Sequence, residues 1–237
     1  GRLNLNFNKL GRIIDSTLDL NIGAGSFEVD LPYSKQDIHN IEDAYFSVSY
    51  ISSEEQVDIN EIQIKHDDFS VKTKGVIQLN YDGSGKISTF DANLSGLSLF
   101  KSGQQIVNNG NVIVNVDPAN NEINFQKLDG DLSEGQLSMR EEELANNKEI
   151  EIMIENSNVE NVKELFSLVN ENKITNWFSQ NVYTGSIDEL TLNRMTDREG
   201  NSSVDMRLEF SDSEFSYYKG HPKISEGSGT IILNDGK

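Results

Sequence analysis

The chain has 237 residues, 35% of them hydrophobic and 25% charged, which is enough for a folded β domain with a modest core. Twenty basic against thirty-nine acidic residues leave a net charge of −19, arguing against a nucleic-acid partner and against docking onto an anionic membrane face. There is no cysteine, so disulfides, thiolate nucleophiles and Cys-based metal sites are excluded.

Alternation of period two, the mark of half-buried strands, dominates from the first residues. Leu3-Leu5-Phe7 opens the series, followed by Leu18-Leu20-Ile22, Phe27-Val29-Leu31 and Phe46-Val48-Tyr50. Val57-Ile59 slips phase into Ile62-Ile64, which predicts a bulge or twist inside one element. Phe69-Val71 leads into Ile77-Leu79-Tyr81, and Ala92-Leu94 changes phase at Gly96 to become Leu97-Leu99. Val112-Val114-Val116, Ile123-Phe125, Leu137-Met139 and Ile150-Ile152-Ile154 follow. After the helical stretch come Leu190-Leu192, Val204 to Phe210 in alternation, Phe215-Tyr217 and Ile231-Leu233.

Asp82–Gly85, Asn108–Asn111, Asp117–Asn121 and Arg198–Asn201 are read as turns, since they supply positive-φ and side-chain-capped positions. Such short connections predict antiparallel neighbours, with one face apolar and the other wet. No apolar run reaches the ~18–20 residues that span a bilayer. Gly1 is already in strand pattern and Lys237 follows another strand, so a segment of a longer protein is expected.

Ser157–Asn193 holds the one convincing helical pattern and the only tryptophan, Trp177. Ser157 with Glu160 reads as a capping box, and Val159, Val162, Leu165, Phe166 and Val169 share one helix face. Thr175 is expected to cap a second short helix carrying Trp177, Phe178 and Val182. Two such helices must lie on something apolar, most simply the end or mouth of the sheet.

Chemical motifs are weak throughout. Gly83-Ser84-Gly85-Lys86 lacks phosphate-loop spacing and a following helix, so it is a hairpin turn. His39, His66 and His221 are far apart, and His66-Asp67-Asp68 reads as a polar turn. Glu141-Glu142-Glu143 reads as a solvated loop. Nothing singles out two of the many carboxylates for glycoside hydrolysis, and Trp177 reads as a packing residue rather than a sugar platform.

Between Thr175 and Lys237 stand Trp177, Asn181, Gly185, Phe210, Asp212, Phe215, Tyr217, Gly220, Pro222, Gly229, Ile231 and Leu233. In these positions the chain resembles the central region of YhdP-type proteins in the AsmA-like superfamily. Of these, Trp177, Gly185, Tyr217, Gly220, Pro222 and Gly229 are structural markers, and His221 stands where the family often has a bulkier residue. The resemblance implies a protein anchored in the bacterial inner membrane that reaches through the periplasm and carries phospholipid in a β-lined groove. Phospholipid is then the partner, with the membrane engaged through other parts of the parent chain and with envelope proteins as further partners. No nucleic acid, cofactor or catalytic residue is expected.

The expected fold is mainly β: an elongated, twisted, mostly antiparallel open sheet forming an apolar groove, as one domain over 1–237 with a two-helix insert at 157–182. The expected lipid-facing positions are Val48, Ile59, Val71, Leu79, Leu94, Val114, Phe125, Ile152, Leu192, Leu208 and Phe210. A structural or adhesive β-sandwich and a glycan-binding or glycan-active module stand as rival expectations.

Overall fold

The computed structural model describes residues 1–10, 13–28, 38–66, 69–119, 122–144, 147–167, 173–197, 199, 201–217 and 222–234. The first strands are β1 (Arg2–Phe7), β2 (Ile13–Ile22), β3 (Gly25–Glu28), β4 (Ile38–Ile51), β5 (Gln56–His66), β6 (Phe69–Tyr81), β7 (Ile87–Lys101) and β8 (Gln104–Asp117). There follow β9 (Glu122–Leu132), β10 (Gln136–Leu144), β11 (Asn147–Asn158), α1 (Val159–Phe166), α2 (Lys173–Asn181), β12 (Val182–Asp197), β13 (Ser202–Phe215) and β14 (Ile224–Asn234).

All fourteen strands belong to one open sheet, and every pairing whose register is described is antiparallel. The order in the sheet follows the order in the chain, except that β3 pairs with β4 and stands off the main path. This is a meander. Most strands find their partner through a short turn, so the turn chemistry sets the register; β11 and β12 pair across α1 and α2 instead. Asp82 shows how: its carboxylate accepts from the backbone N–H of Ser84 at 2.8 Å and of Lys86 at 3.0 Å. Only three prolines interrupt the chain, so long strands keep their ladder donors.

By contact the chain divides into two compact units. The first comprises Gly1–Val29 and Ile38–Leu128, and the second contains Asp129–Lys237. Both helices belong to the second. There α1 packs on β11 and β12, and α2 on β12 and β13. Their apolar stripes (Val159, Val162 and Phe166 from α1; Ile174 and Phe178 from α2) are buried, and Phe166 meets Phe178 edge to face at 5.3 Å. The helices join the end of β11 to the start of β12 and pack on β11, β12 and β13. Ile154, Ile187, Leu190, Met206 and Leu208 of those strands are buried as well.

Local chemistry differs from expectation in four places. The cap of α1 is Asn158, whose side chain accepts from the N–H of Asn161 at 2.8 Å; Ser157 is still in the ladder, opposite Ile187. Thr175 lies inside the first turn of α2, because that helix already runs from Lys173. Asn108–Asn111 is not a turn but part of β8, where Asn109 takes a φ of +52° and absorbs an irregularity against β7. The true turn is at Ser102-Gly103, both with positive φ (50° and 81°), as a tight hairpin requires. Glu141 and Glu142 sit in β10 rather than in a loop. The expected strand residues Val29 and Leu31, and Gly220 and His221, lie outside the described residues.

Candidate functional site

The first unit exposes the feature that carries function best. Its strand registers join apolar side chains into rows that cross the sheet. One row runs Leu3, Leu18, Val48, Ile59, Gly75, Leu94, Val112. A second runs Ile22, Ala44, Ile64, Val71, Leu99, Val107. A third runs Tyr50, Val57, Ile77, Ala92, Val114. Directly paired residues point to the same face, so the three rows share one surface, with the row Leu20, Phe46, Ile62, Thr73 between the first and the second. At ~4.8 Å per strand, six strands give a face about 24 Å across.

Bulges keep this face apolar. Between Ile59 and Ile62 the ladder against β6 skips a residue, so Ile62 and Ile64 return to the face that Val57 and Ile59 already occupy. The same happens in β7, where Leu94 and Leu97 both stay on the face across Gly96, whose φ is +60°. Without these bulges a one-residue change of phase would send half of each strand's apolar residues into water. Thr73 is a polar member of the face, and its hydroxyl donates to the carbonyls of Ser95 at 3.2 Å and Lys74 at 3.3 Å. Gly75 fits because a Cβ there would stand 2.2 Å from the Asn93 carbonyl oxygen.

Among its described residues the first unit contains strands only, so nothing within it covers the apolar face. Most residues of the rows are accordingly half-buried, with Ala92, Val112 and Val114 as a local core against which Ile77, Leu94, Leu97, Phe125 and Leu128 pack. The reverse face is wet and hydrogen-bonded. Asp91 accepts from Asn115 at 2.7 Å and from Asn80 at 2.9 Å, and these bonds hold its carboxyl below the ordinary carboxylate range. Lys72 pairs with Glu61 at 2.7 Å, and Ser47 donates to Asp19 at 2.7 Å.

The second unit has the same row logic with a different outcome. Leu137, Ile154, Leu190, Leu208 and Ile231 form one row, and Met139, Ile152, Leu192, Met206 and Leu233 the next. Leu208 is 0% exposed, and Leu192 and Phe210 are buried. Of the eleven positions expected to face lipid, Val48, Ile59, Val71, Leu79, Leu94, Val114 and Phe125 therefore fall in the uncovered first unit. Ile152, Leu192, Leu208 and Phe210 belong to the helix-bearing second unit, where Phe210 packs edge to face on Phe215 at 5.0 Å. A third row breaks the apolar pattern: Glu141 lies opposite Ile150, and Ile150 opposite Arg194. The Glu141 side chain is only 5% exposed, with Lys148 Nζ at 2.7 Å. Sequence reasoning missed this charged corner because three consecutive glutamates look like a solvated run.

The structural markers are placed as follows. Gly185 has a φ of +129°, and a Cβ there would lie 2.1 Å from Ser213 Oγ. Gly229 pairs with Phe210 in the β13–β14 ladder, and Pro222 is exposed just before β14. Trp177, Tyr217, Ile231 and Leu233 line a cleft of about 260 Å³, together with Thr230 and Ile232. Among the described residues no group of three or more His, Asp or Glu side chains converges as a metal site would. Comparison of the chain with protein-family models, with curated proteins and with solved structures finds no match.

Proposed function

We propose that this chain is a lipid-shielding segment of a larger bacterial envelope protein of the YhdP type. Acyl chains of phospholipid lie along the uncovered apolar face of the first unit, and no bond is made or broken. The observation that carries this reading is the set of mainly apolar rows across β4–β8, in a unit whose described residues form strands only. The likeness of Thr175–Lys237 to the YhdP-type region adds the setting: a periplasmic segment, tethered to the inner membrane through the parent chain and working with envelope partner proteins.

Magnitudes favour such a face. Each methylene withdrawn from water contributes about 0.8 kcal/mol, so a chain of roughly fifteen costs on the order of 12 kcal/mol to expose. One-sided contact recovers about half of that, leaving a bound lipid mobile enough to slide. A leaflet's acyl chains fill about half of the ~30 Å hydrocarbon core, so the 24 Å estimated for the face accommodates their length. A sandwich protein would need a second sheet to close on the first, whereas these fourteen strands make one.

Native mass spectrometry of the purified chain tests the proposal. Co-bound phospholipid is expected, with mass increments that disappear on delipidation and return with added lipid. Delipidated protein that never takes lipid back would overturn it.

A further inference from the structure

We propose that β1 is an edge for strand addition, and that its occupant is an acidic, extended segment of a partner protein. The proposal goes beyond the lipid-shielding reading and is independent of it, since no lipid takes part.

Three observations carry it. First, β1 ends the strand order, so every second N–H and C=O along its outer side has no ladder partner among the described strands. The usual protections of an edge are missing: β1 holds no proline, glycine or lysine, and it follows β2 residue for residue from Arg2 to Asn6. The opposite edge is blunted, for β14 contains glycines, a positive φ at Glu226 and register shifts against β13. Second, β1 presents an alternation that an added strand can match. Leu3, Leu5 and Phe7 alternate with Arg2, Asn4 and Asn6, and all three apolar side chains are exposed. Asn4 donates to Thr17 at 3.0 Å and Asn6 to Asp15, so the polar side holds β1 against β2 and leaves its outer edge open. Leu10, 82% exposed just beyond the strand, extends the apolar border. Third, the charge is reversed here. Residues 1–14 carry Arg2, Lys9 and Arg12 and no acid, in a chain of net charge −19. Arg2 and Lys9 are exposed and form no ion pair with another described residue. Asp19, opposite Arg2 in the ladder, accepts from Ser47 at 2.7 Å instead. A cationic edge on an acidic protein selects an acidic strand, with main-chain bonds supplying affinity and the alternating side chains specificity. It selects against a second copy, because antiparallel β1–β1 pairing would bring the cations of Arg2 and Lys9 together.

Two short fluorescein-labelled peptides test the proposal, one alternating valine with glutamate and the other valine with lysine. The glutamate peptide is expected to bind saturably by fluorescence anisotropy and to slow amide exchange in β1; the lysine peptide is expected to do neither. A glutamate peptide N-methylated at every residue keeps its charge but loses its main-chain donors, and it should not bind. Arg2→Glu combined with Lys9→Glu, both at exposed positions, should weaken the glutamate peptide several-fold and favour the lysine peptide, with the circular dichroism spectrum unchanged. Unchanged binding in that variant, equal binding of the N-methylated peptide, or no binding of the glutamate peptide overturns the proposal. So does a concentration-dependent dimer that protects β1, which gives the edge to a second copy. Protection of β1 by phosphatidylglycerol vesicles without peptide binding overturns it in favour of a membrane. Native mass spectrometry for bound phospholipid reports on the lipid-shielding reading separately, so either can fail alone.

Discussion

Single residues decide details that alternation alone leaves open. Asn158 caps α1, so Asn158→Ala is expected to cost about 1 kcal/mol in urea unfolding. Ser157→Ala should be neutral or slightly stabilising, since the Ser157 hydroxyl is buried with no hydrogen-bond partner among the described residues. The reverse ranking would return the cap to Ser157. Gly185 combines a φ of +129° with backbone of Ser213 where its Cβ would go. Gly185→Ala should therefore destabilise by about 2 kcal/mol or more. Asp91 gives a pH dependence. Hydrogen bonds from Asn115 and Asn80 lower its folded-state pKa, so its contribution is present above the ordinary value of 3.8 and lost as pH falls through the lower folded value. The urea midpoint should drop on acidification below about pH 4, and drop less steeply in Asn115→Ala, which lacks the stronger of the two bonds.

Elements were legible in the sequence where periodicity was unambiguous. Strands of the β4–β8 meander and the two helices follow from period-two and helical spacing, and the Asp82 turn follows from its own side-chain bonds. Phase was harder. Val57-Ile59 and Ile62-Ile64 differ in phase, as do Ala92-Leu94 and Leu97-Leu99, yet each pair is one strand joined by a bulge. The slip of phase is its trace in the sequence, and in β7 so is Gly96, with its φ of +60°. Asn108-Asn109-Gly110 carries turn chemistry used inside a strand, while the actual turn at Ser102-Gly103 is short and unremarkable in sequence. The expected lipid-facing positions were legible as alternating apolar residues, but alternation cannot say which strands a helix will cover. That difference is measurable. Leu208→Ala, in the covered core, should cost about 2–5 kcal/mol, whereas Leu79→Ala on the half-buried face should cost no more than about 1 kcal/mol.

At the scale of the whole chain, the two units treat their apolar faces differently. In the second, helices pack on β11–β13; in the first, strands alone support the face. Amide hydrogen exchange should therefore be slowest in β11–β13, under α1 and α2. Added phospholipid should slow β5–β8 and leave β11–β12 unchanged. The outermost strand β1 leaves Leu3 60% and Phe7 54% exposed, so its exchange should be fast in either condition. The central claim is that lipid lies on one particular face of the first unit, and neighbouring positions on opposite faces test it most directly. A photo-crosslinking residue is placed at Leu79, at Val114 or, on the wet face, at Asn93, and each protein is irradiated with phospholipid bound. Capture at Leu79 and Val114 but not at Asn93 is the predicted result; equal capture at all three, or capture at Asn93 alone, would contradict it.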